Sequence, residues 1–159
     1  MTSHGELSSS RQVVIRDASP GDEAAIASLA RRLMPAAGPD RDLGVFAAYF
    51  DRPTDYPPGT RTIVAAAPDG TVLGYLIVRP EMEHFSSQER AYIERIAVAE
   101  VAEGMGVGRS LLDWAAAWAR SQGYAAVALD VFASNDRARR FYHRNGYAED
   151  FVRMVQPLD

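Results

Sequence analysis

The stretch "VAEGMGVGRSLLDWAAAWARSQGY" (Val101–Tyr124) sets Gly104, Gly106 and Gly108 within five residues and runs straight into an Ala/Leu/Trp segment. Glycine is, after proline, the poorest residue with which to begin a helix. Yet Val107, Leu111, Trp114, Ala115 and Trp118 recur at helical spacing, and Gly123 follows as a stop. The pattern predicts a helix from about Val107 to Gln122. A helix start leaves about four backbone N–H groups without partners and carries partial positive charge. Glycines ahead of it allow close approach of a ligand, because no Cβ intervenes and a positive φ costs little. That combination suits a phosphate or pyrophosphate. The plainer alternative is tight packing of helix on sheet.

Outward from this loop the chain alternates strand and helix patterns. "QVVIR" (12–16) reads as a first strand, and "SPGDEAAIASLARRL" (19–33) as a helix with a Ser19 cap and Pro20 at its first position. "MPAAGP" breaks that helix, and "DRDLGVFAAYFD" (40–51) carries Leu43, Phe46, Ala47 and Phe50 at the spacing of a second, shorter one. After the Pro-rich "RPTDYPPGT", the runs "RTIVAAA" and "TVLGYLIVRP" predict a hairpin about Pro68-Asp69-Gly70. "EMEHFSSQE" reads as a polar connection. "RAYIERIAV" (90–98) reads as a fourth strand, with Tyr92, Glu94, Ile96 and Val98 on one face if it is regular. "YAAVALDVF" (124–132) predicts a fifth strand, "SNDRARRFYHRNG" a helix capped near Asn135 and stopped at Gly146, and "YAEDFVRMVQPL" (147–158) a closing strand. The order is mixed α/β around one strand–helix–strand crossover, Tyr92 to Phe132, that contains the glycine loop. Residues 1–11 are expected to form a disordered tail, since they lack the hydrophobic region of a signal peptide, and 12–159 a single domain.

Composition narrows the chemistry. The 159 residues include no cysteine, which excludes disulfides, thiolate metal sites and a cysteine nucleophile. It also fits a reducing, cytoplasmic setting. No apolar run approaches the ~20 residues that span a bilayer, so no membrane partner is expected. All 17 basic residues are arginine, which removes a Walker-type lysine, a Schiff base and a Ser-Lys dyad. With a net charge of -4 and no basic arm, no nucleic-acid partner is expected. No metal is called for.

Neither Gly104 nor Gly106 begins a G-x-G-x-x-G, because the sixth residues are Arg109 and Leu111; the dinucleotide fingerprint therefore fails. A pyrophosphate held mainly by backbone amides fits coenzyme A. Here the sequence resembles a family. "EGMGVG" (Glu103–Gly108) is similar to the pyrophosphate loop [Q/R]-x-x-G-x-[G/A] of the GNAT superfamily of acyl-CoA-dependent N-acetyltransferases, with "IAV" (Ile96–Val98) at the matching distance before it. "NDRARRFYHRNGY" (Asn135–Tyr147) resembles that family's second signature, N-x-x-A-x-x-F-Y-x-x-x-G-[F/Y], at every specified position. The two motifs cover about a third of the chain. Glu103 departs from the pattern: a carboxylate aimed at pyrophosphate would repel it, whereas one turned to water would leave the backbone to donate.

The resemblance implies a mostly antiparallel sheet flanked by helices, with a parallel strand pair splayed around the acyl-CoA site. It also implies acetyl transfer from acetyl-CoA to a primary amine by direct attack in a ternary complex. A free alkyl amine is neutral at pH 7 only about one part in 2,500, so a base is needed. The oxyanion needs donors, and the departing thiolate a proton. By resemblance Tyr142 serves the leaving sulfur, and the backbone of Ile96, Ala97 and Val98 pairs with the pantetheine arm. Glu103, Gly104, Met105, Gly106, Val107, Gly108, Arg109 and Ser110 surround the pyrophosphate. Glu94 is the candidate base, with Glu81, Glu83, His84 and Glu89 as alternatives. Asn135 is a helix cap, a polar contact to the cofactor arm, or both. Arg137, Arg140 and Arg144 form a stripe that either reaches the 3′-phosphate or is a solvated face. Trp114 and Trp118 read as core. A homodimer is among the expected assemblies. The competing functions are a non-catalytic acyl-CoA-binding or regulatory domain, and a nucleotide at the same loop.

Overall fold

The computed structural model describes residues 12–33 and 55–158. The expected tail (1–11), the break "MPAAGP" and the second helix (40–51) lie outside the described residues. Five strands form one sheet in the order β1-β2-β3-β4-β5: β1 Val14–Asp17, β2 Arg61–Ala66, β3 Val72–Met82, β4 Glu89–Val98 and β5 Val127–Leu129. The first three pairings are antiparallel, and β4 with β5 is parallel. Among the described residues three α-helices accompany them: α1 Glu23–Ala30, α2 Val107–Ser121 and α3 Asp136–Arg144.

Each face of the sheet is covered by a different helix. On one, Ile63, Leu76, Val78, Ala91 and Ile93 meet Val107, Leu111, Leu112, Ala115 and Trp118 of α2. On the other, Val64, Tyr75, Ile77 and Ala97 meet Leu29 and Ala30 of α1. Leu111 and Leu76 are fully buried, and each such side chain contributes roughly 1.5–3 kcal/mol. An exposed ion pair such as Arg61–Asp17 is worth about 1 kcal/mol at most. Core packing therefore seats α2 on the sheet. Trp114 and Trp118 stack with centroids 6.3 Å apart and belong to this packing, as their spacing implies.

Three sequence expectations change. The β3–β4 strands run further than expected, because Glu83 N–H donates to Gln88 O and Arg90 pairs with Glu81, which shortens the polar connection. β5 keeps three residues rather than nine, since it pairs only with Ala91–Ile93. The closing strand does not form: Phe151, Val152, Met154 and Val155 are exposed. Their apolar residues come in doublets three apart rather than alternating, so no register would bury one face. Glu149 instead ties the segment to α3 through Arg139 and His143.

The start of α1 is held by one carboxylate. Asp22, almost fully buried, takes two bonds from Arg16 at 2.7 and 3.1 Å and one each from the Ser19 N–H and hydroxyl. This is the reciprocal capping box foreshadowed by Ser19. The Arg16 guanidinium, then the Ser19 N–H, hold the Asp22 carboxyl well below the usual carboxylate range. Its folded value being depressed, its contribution is complete above the unfolded value of ~3.9 and disappears as pH falls through the folded one. Asp22→Asn should lower the melting temperature by several degrees between pH 5 and 7. The gap to wild type should shrink steadily below pH 4, read by thermal melts in buffers of matched ionic strength.

Candidate active site

β4 is not regular. Ile77 pairs with Arg95 and Val78 with Ile93, so Glu94 is an extra residue and the strand bulges there. The bulge flips the alternation. Ala91 and Ile93 before it, and Ile96 and Val98 after it, all pack toward α2. Tyr92 and Glu94 meet Arg79, which follows Tyr75 and Ile77 on the α1 face. The expectation that Tyr92, Glu94, Ile96 and Val98 share one face is therefore corrected. Pairing with β5 also ends at Ile93, one residue before the bulge. Beyond it the two parallel strands no longer pair.

The exposed edge of β4 follows from its register. Val98 lies opposite Gly74, and the Ala99 N–H reaches Leu73 O at 2.7 Å. That bond makes Gly74–Val98 a non-hydrogen-bonded pair, so the N–H and C=O of Val98 turn away from β3, as do those of Ile96 two residues earlier. Ala97, between them, turns its backbone to Tyr75. The edge thus turns outward a donor and an acceptor at Ile96 and again at Val98, where Arg32 occupies the carbonyl.

The glycine loop continues from this edge. A single 3₁₀ turn, Glu100–Ala102, leads to Gly104 and Gly106 at φ of 76° and 79°. A Cβ at either would meet nothing within 4 Å among the described residues, so backbone conformation rather than crowding calls for glycine. Gly106 is the N-cap of α2, and the first intrahelical bond runs from Ser110 N–H to Gly106 O. The N–H groups of Val107, Gly108 and Arg109 therefore have no intrahelical acceptor. Ser110 Oγ also bonds Gly106 O, while Met105 N–H is taken by Ala102 O. Arg109 is exposed, 3.9 Å from Asp113. Gly108 serves packing: a Cβ there would stand 2.9 Å from Phe141 Cζ on α3.

Asn135 Oδ1 accepts from Ala138 N–H at 3.1 Å and caps α3. The helix closes with Gly146 N–H on His143 O and Tyr147 N–H on Tyr142 O, the paired bonds of a Schellman stop. Tyr147 then lies 5.8 Å, ring to ring, from Tyr142. Burial, with Tyr147 alongside, pushes the Tyr142 hydroxyl up to about 12, so it stays protonated throughout the neutral range.

Glu94 Oε2 accepts from Arg79 Nε at 2.8 Å, and that guanidinium lies 4.5 Å above the Tyr92 ring. Burial, then Asp130, raises the Tyr92 hydroxyl far above its usual value. The alternative bases lie toward the β3–β4 hairpin. Glu81 pairs with Arg79 and Arg90. Glu83 binds the Phe85 N–H, and His84 packs on Phe85 and Phe151. Glu89 is five residues from Glu94, roughly 17 Å along a strand.

Glu103 is partly exposed, and its carboxylate is taken up by two arginines. It takes Arg32 Nη2 on one oxygen and Arg137 Nη2 on the other, both at 2.7 Å, and these guanidiniums hold its carboxyl below the usual range, Arg137 first. Arg32, which sequence reading did not single out, also donates to Val98 O. It lies 71 positions from Glu103, beyond the reach of any local pattern. The one available signal was the carboxylate in an anion loop, which calls for a cation. Of the arginine stripe, Arg137 is the member brought to the loop.

Comparison with known proteins agrees with this geometry. YycN of Bacillus subtilis, named an uncharacterized N-acetyltransferase, is 33% identical over 87 residues, 55% of this chain and 54% of the relative. Aminoglycoside N(6')-acetyltransferase type 1 of Klebsiella aerogenes is 34% identical over 89 residues, 55% of this chain and 59% of the relative. The chain thus matches little more than half the length of these relatives. A tetramutant of the BH1408 protein from Bacillus halodurans shares the fold with a TM-score of 0.73 at 22% identity, over 91% of this chain and 99% of that one. The profile of the acetyltransferase (GNAT) family spans residues 24–147, both signatures included, and the chain belongs to that family.

Proposed function

We propose that this chain is an acetyl-CoA-dependent N-acetyltransferase that moves an acetyl group to a primary amine by direct attack in a ternary complex. One observation carries the reading. Where β4 bulges and its pairing with β5 ends, a backbone edge turned away from β3, with Arg32 on its Val98 carbonyl, leads through two left-handed glycines to the uncapped start of α2. An amide-bearing arm ending in a diphosphate fits that sequence of donors. The edge at Ile96 and Val98 would hold the pantetheine amides, and the N–H groups of Val107, Gly108 and Arg109 the diphosphate. Bound there, acetyl-CoA supplies the activated acyl group.

The chain's own residues divide the remaining work by face. Tyr142, placed with the α2-side core, keeps its proton at neutral pH and offers it to the departing sulfur. Glu94, on the α1 face, takes the proton of the incoming ammonium directly or through water, with Arg79 holding one carboxylate oxygen. A backbone N–H of the β4 edge stabilises charge developing on the acyl oxygen. Amine and thiol thus use opposite faces of the sheet. Asn135, whose Oδ1 is spent on its cap, has its amide hydrogens for the cofactor arm.

Release of free CoA with a panel of amines tests the activity. An aminoglycoside belongs in the panel because of the Klebsiella relative. Acetyl-CoA affinity without turnover on any amine would favour a binding domain instead. Tyr142→Phe should lower kcat at least tenfold, within the range of general-acid effects, and leave acetyl-CoA affinity within about twofold. Unchanged kcat would remove Tyr142 from the chemistry. Glu94→Gln should lower kcat by about 100-fold and leave acetyl-CoA affinity within about twofold. If Glu94 served only as a partner for Arg79, the substitution would lower the melting temperature and keep kcat.

A further inference from the structure

Three segments that border this edge of β4 are tied together by one carboxylate. Arg32 follows the end of α1, Glu103 opens the glycine loop, and Arg137 lies in the first turn of α3. Glu103 binds one guanidinium on each oxygen at 2.7 Å, while the other terminal nitrogen of Arg32 sits on the Val98 carbonyl. That carbonyl belongs to the pair of backbone groups turned away from β3. The cluster has a net charge of +1, and its cations point toward Glu103. A doubly charged diphosphate arriving beside the α2 N-terminus competes with that carboxylate for both guanidiniums, because each gives Glu103 a single charge-assisted hydrogen bond, whereas a phosphate can take arginine's two-pronged fork.

We propose that Arg32 and Arg137 are cofactor-phosphate ligands held in reserve by Glu103, forming a latch that the diphosphate of coenzyme A opens. On binding, both arginines pass from the carboxylate to phosphate oxygens, and Arg32 gives up the Val98 carbonyl to an amide N–H of the pantetheine arm. On release, Glu103 reclaims them. The departure of Glu103 from the family pattern then lowers cofactor affinity through competition for the arginines, and it speeds loss of the product CoA. This inference rests on acetyl-CoA lying along the β4 edge as proposed above.

The test is a thermodynamic cycle on the full chain, with CoA binding measured by calorimetry and dissociation by stopped flow. Glu103→Gln should tighten CoA by roughly five- to tenfold, the scale of freeing two exposed charge pairs, with most of the change in the off-rate. In an Arg32→Ala/Arg137→Ala background the same substitution should change affinity less than twofold, and that background should bind CoA more weakly than wild type. The steepness of the affinity against salt should increase in Glu103→Gln. If wild type binds CoA and Glu103→Gln binds it equally or more weakly, the latch is overturned while the active-site reading stands. If Glu103→Gln tightens equally with and without the arginines, Glu103 acts by simple repulsion and the latch is again wrong. If no variant, wild type included, binds CoA, the underlying reading fails with it. Near-identical circular dichroism and melting curves establish that these exposed substitutions leave the fold intact.

Discussion

The extra residue at Glu94 is the constraint on which the site depends. A parallel pair of strands has no reason to separate while both ladders stay in register. At the bulge, Ile77 faces two residues of β4, and the strand bends at the point where its hydrogen bonds to β5 stop. The candidate site lies just beyond. The unpaired edge, the loop and the start of α2 follow within about a dozen residues, and the crossover through α2 returns the chain to the short β5. A site built this way uses backbone polarity, which substitutions of side chains leave in place.

The bulge also distributes charge. By turning Glu94 to the α1 face it brings the carboxylate to Arg79 and Tyr92 instead of aiming it at α2, where the packing is apolar. A carboxylate among Val107, Leu111 and Ile96 would have had no partner and a heavy desolvation cost. On its actual face it is ion-paired, and its side chain is 12% exposed.

Legibility in the sequence followed the range of the forces involved. The start and stop of α2, the Asn135 cap and the Schellman close of α3 depend on residues within a turn of one another, so local pattern revealed them. The β-hairpin about Pro68-Asp69-Gly70 was equally local. The bulge was missed because a regular strand was assumed, although the spacing of three between Ile93 and Ile96 already broke the alternation. The length of β5 was out of reach, since it depends on where a different strand bends. The C-terminal segment misled because valines and a phenylalanine favour strands while their doublets deny one face to a core. Arg32 was invisible, its partners being 66 and 71 residues away. The family resemblance singled out the glycine loop and the Asn135–Tyr147 segment, but it had no bearing on how this chain neutralises an acid in the loop.

Phe141 rests where a side chain on residue 108 would have to be, and it is the immediate neighbour of Tyr142. The helix that begins the anion cradle and the helix that carries the phenol therefore lean on one another without an intervening methyl. The third glycine of the loop is thus also a bearing: its missing side chain sets how closely the start of α2 approaches the helix that carries Tyr142.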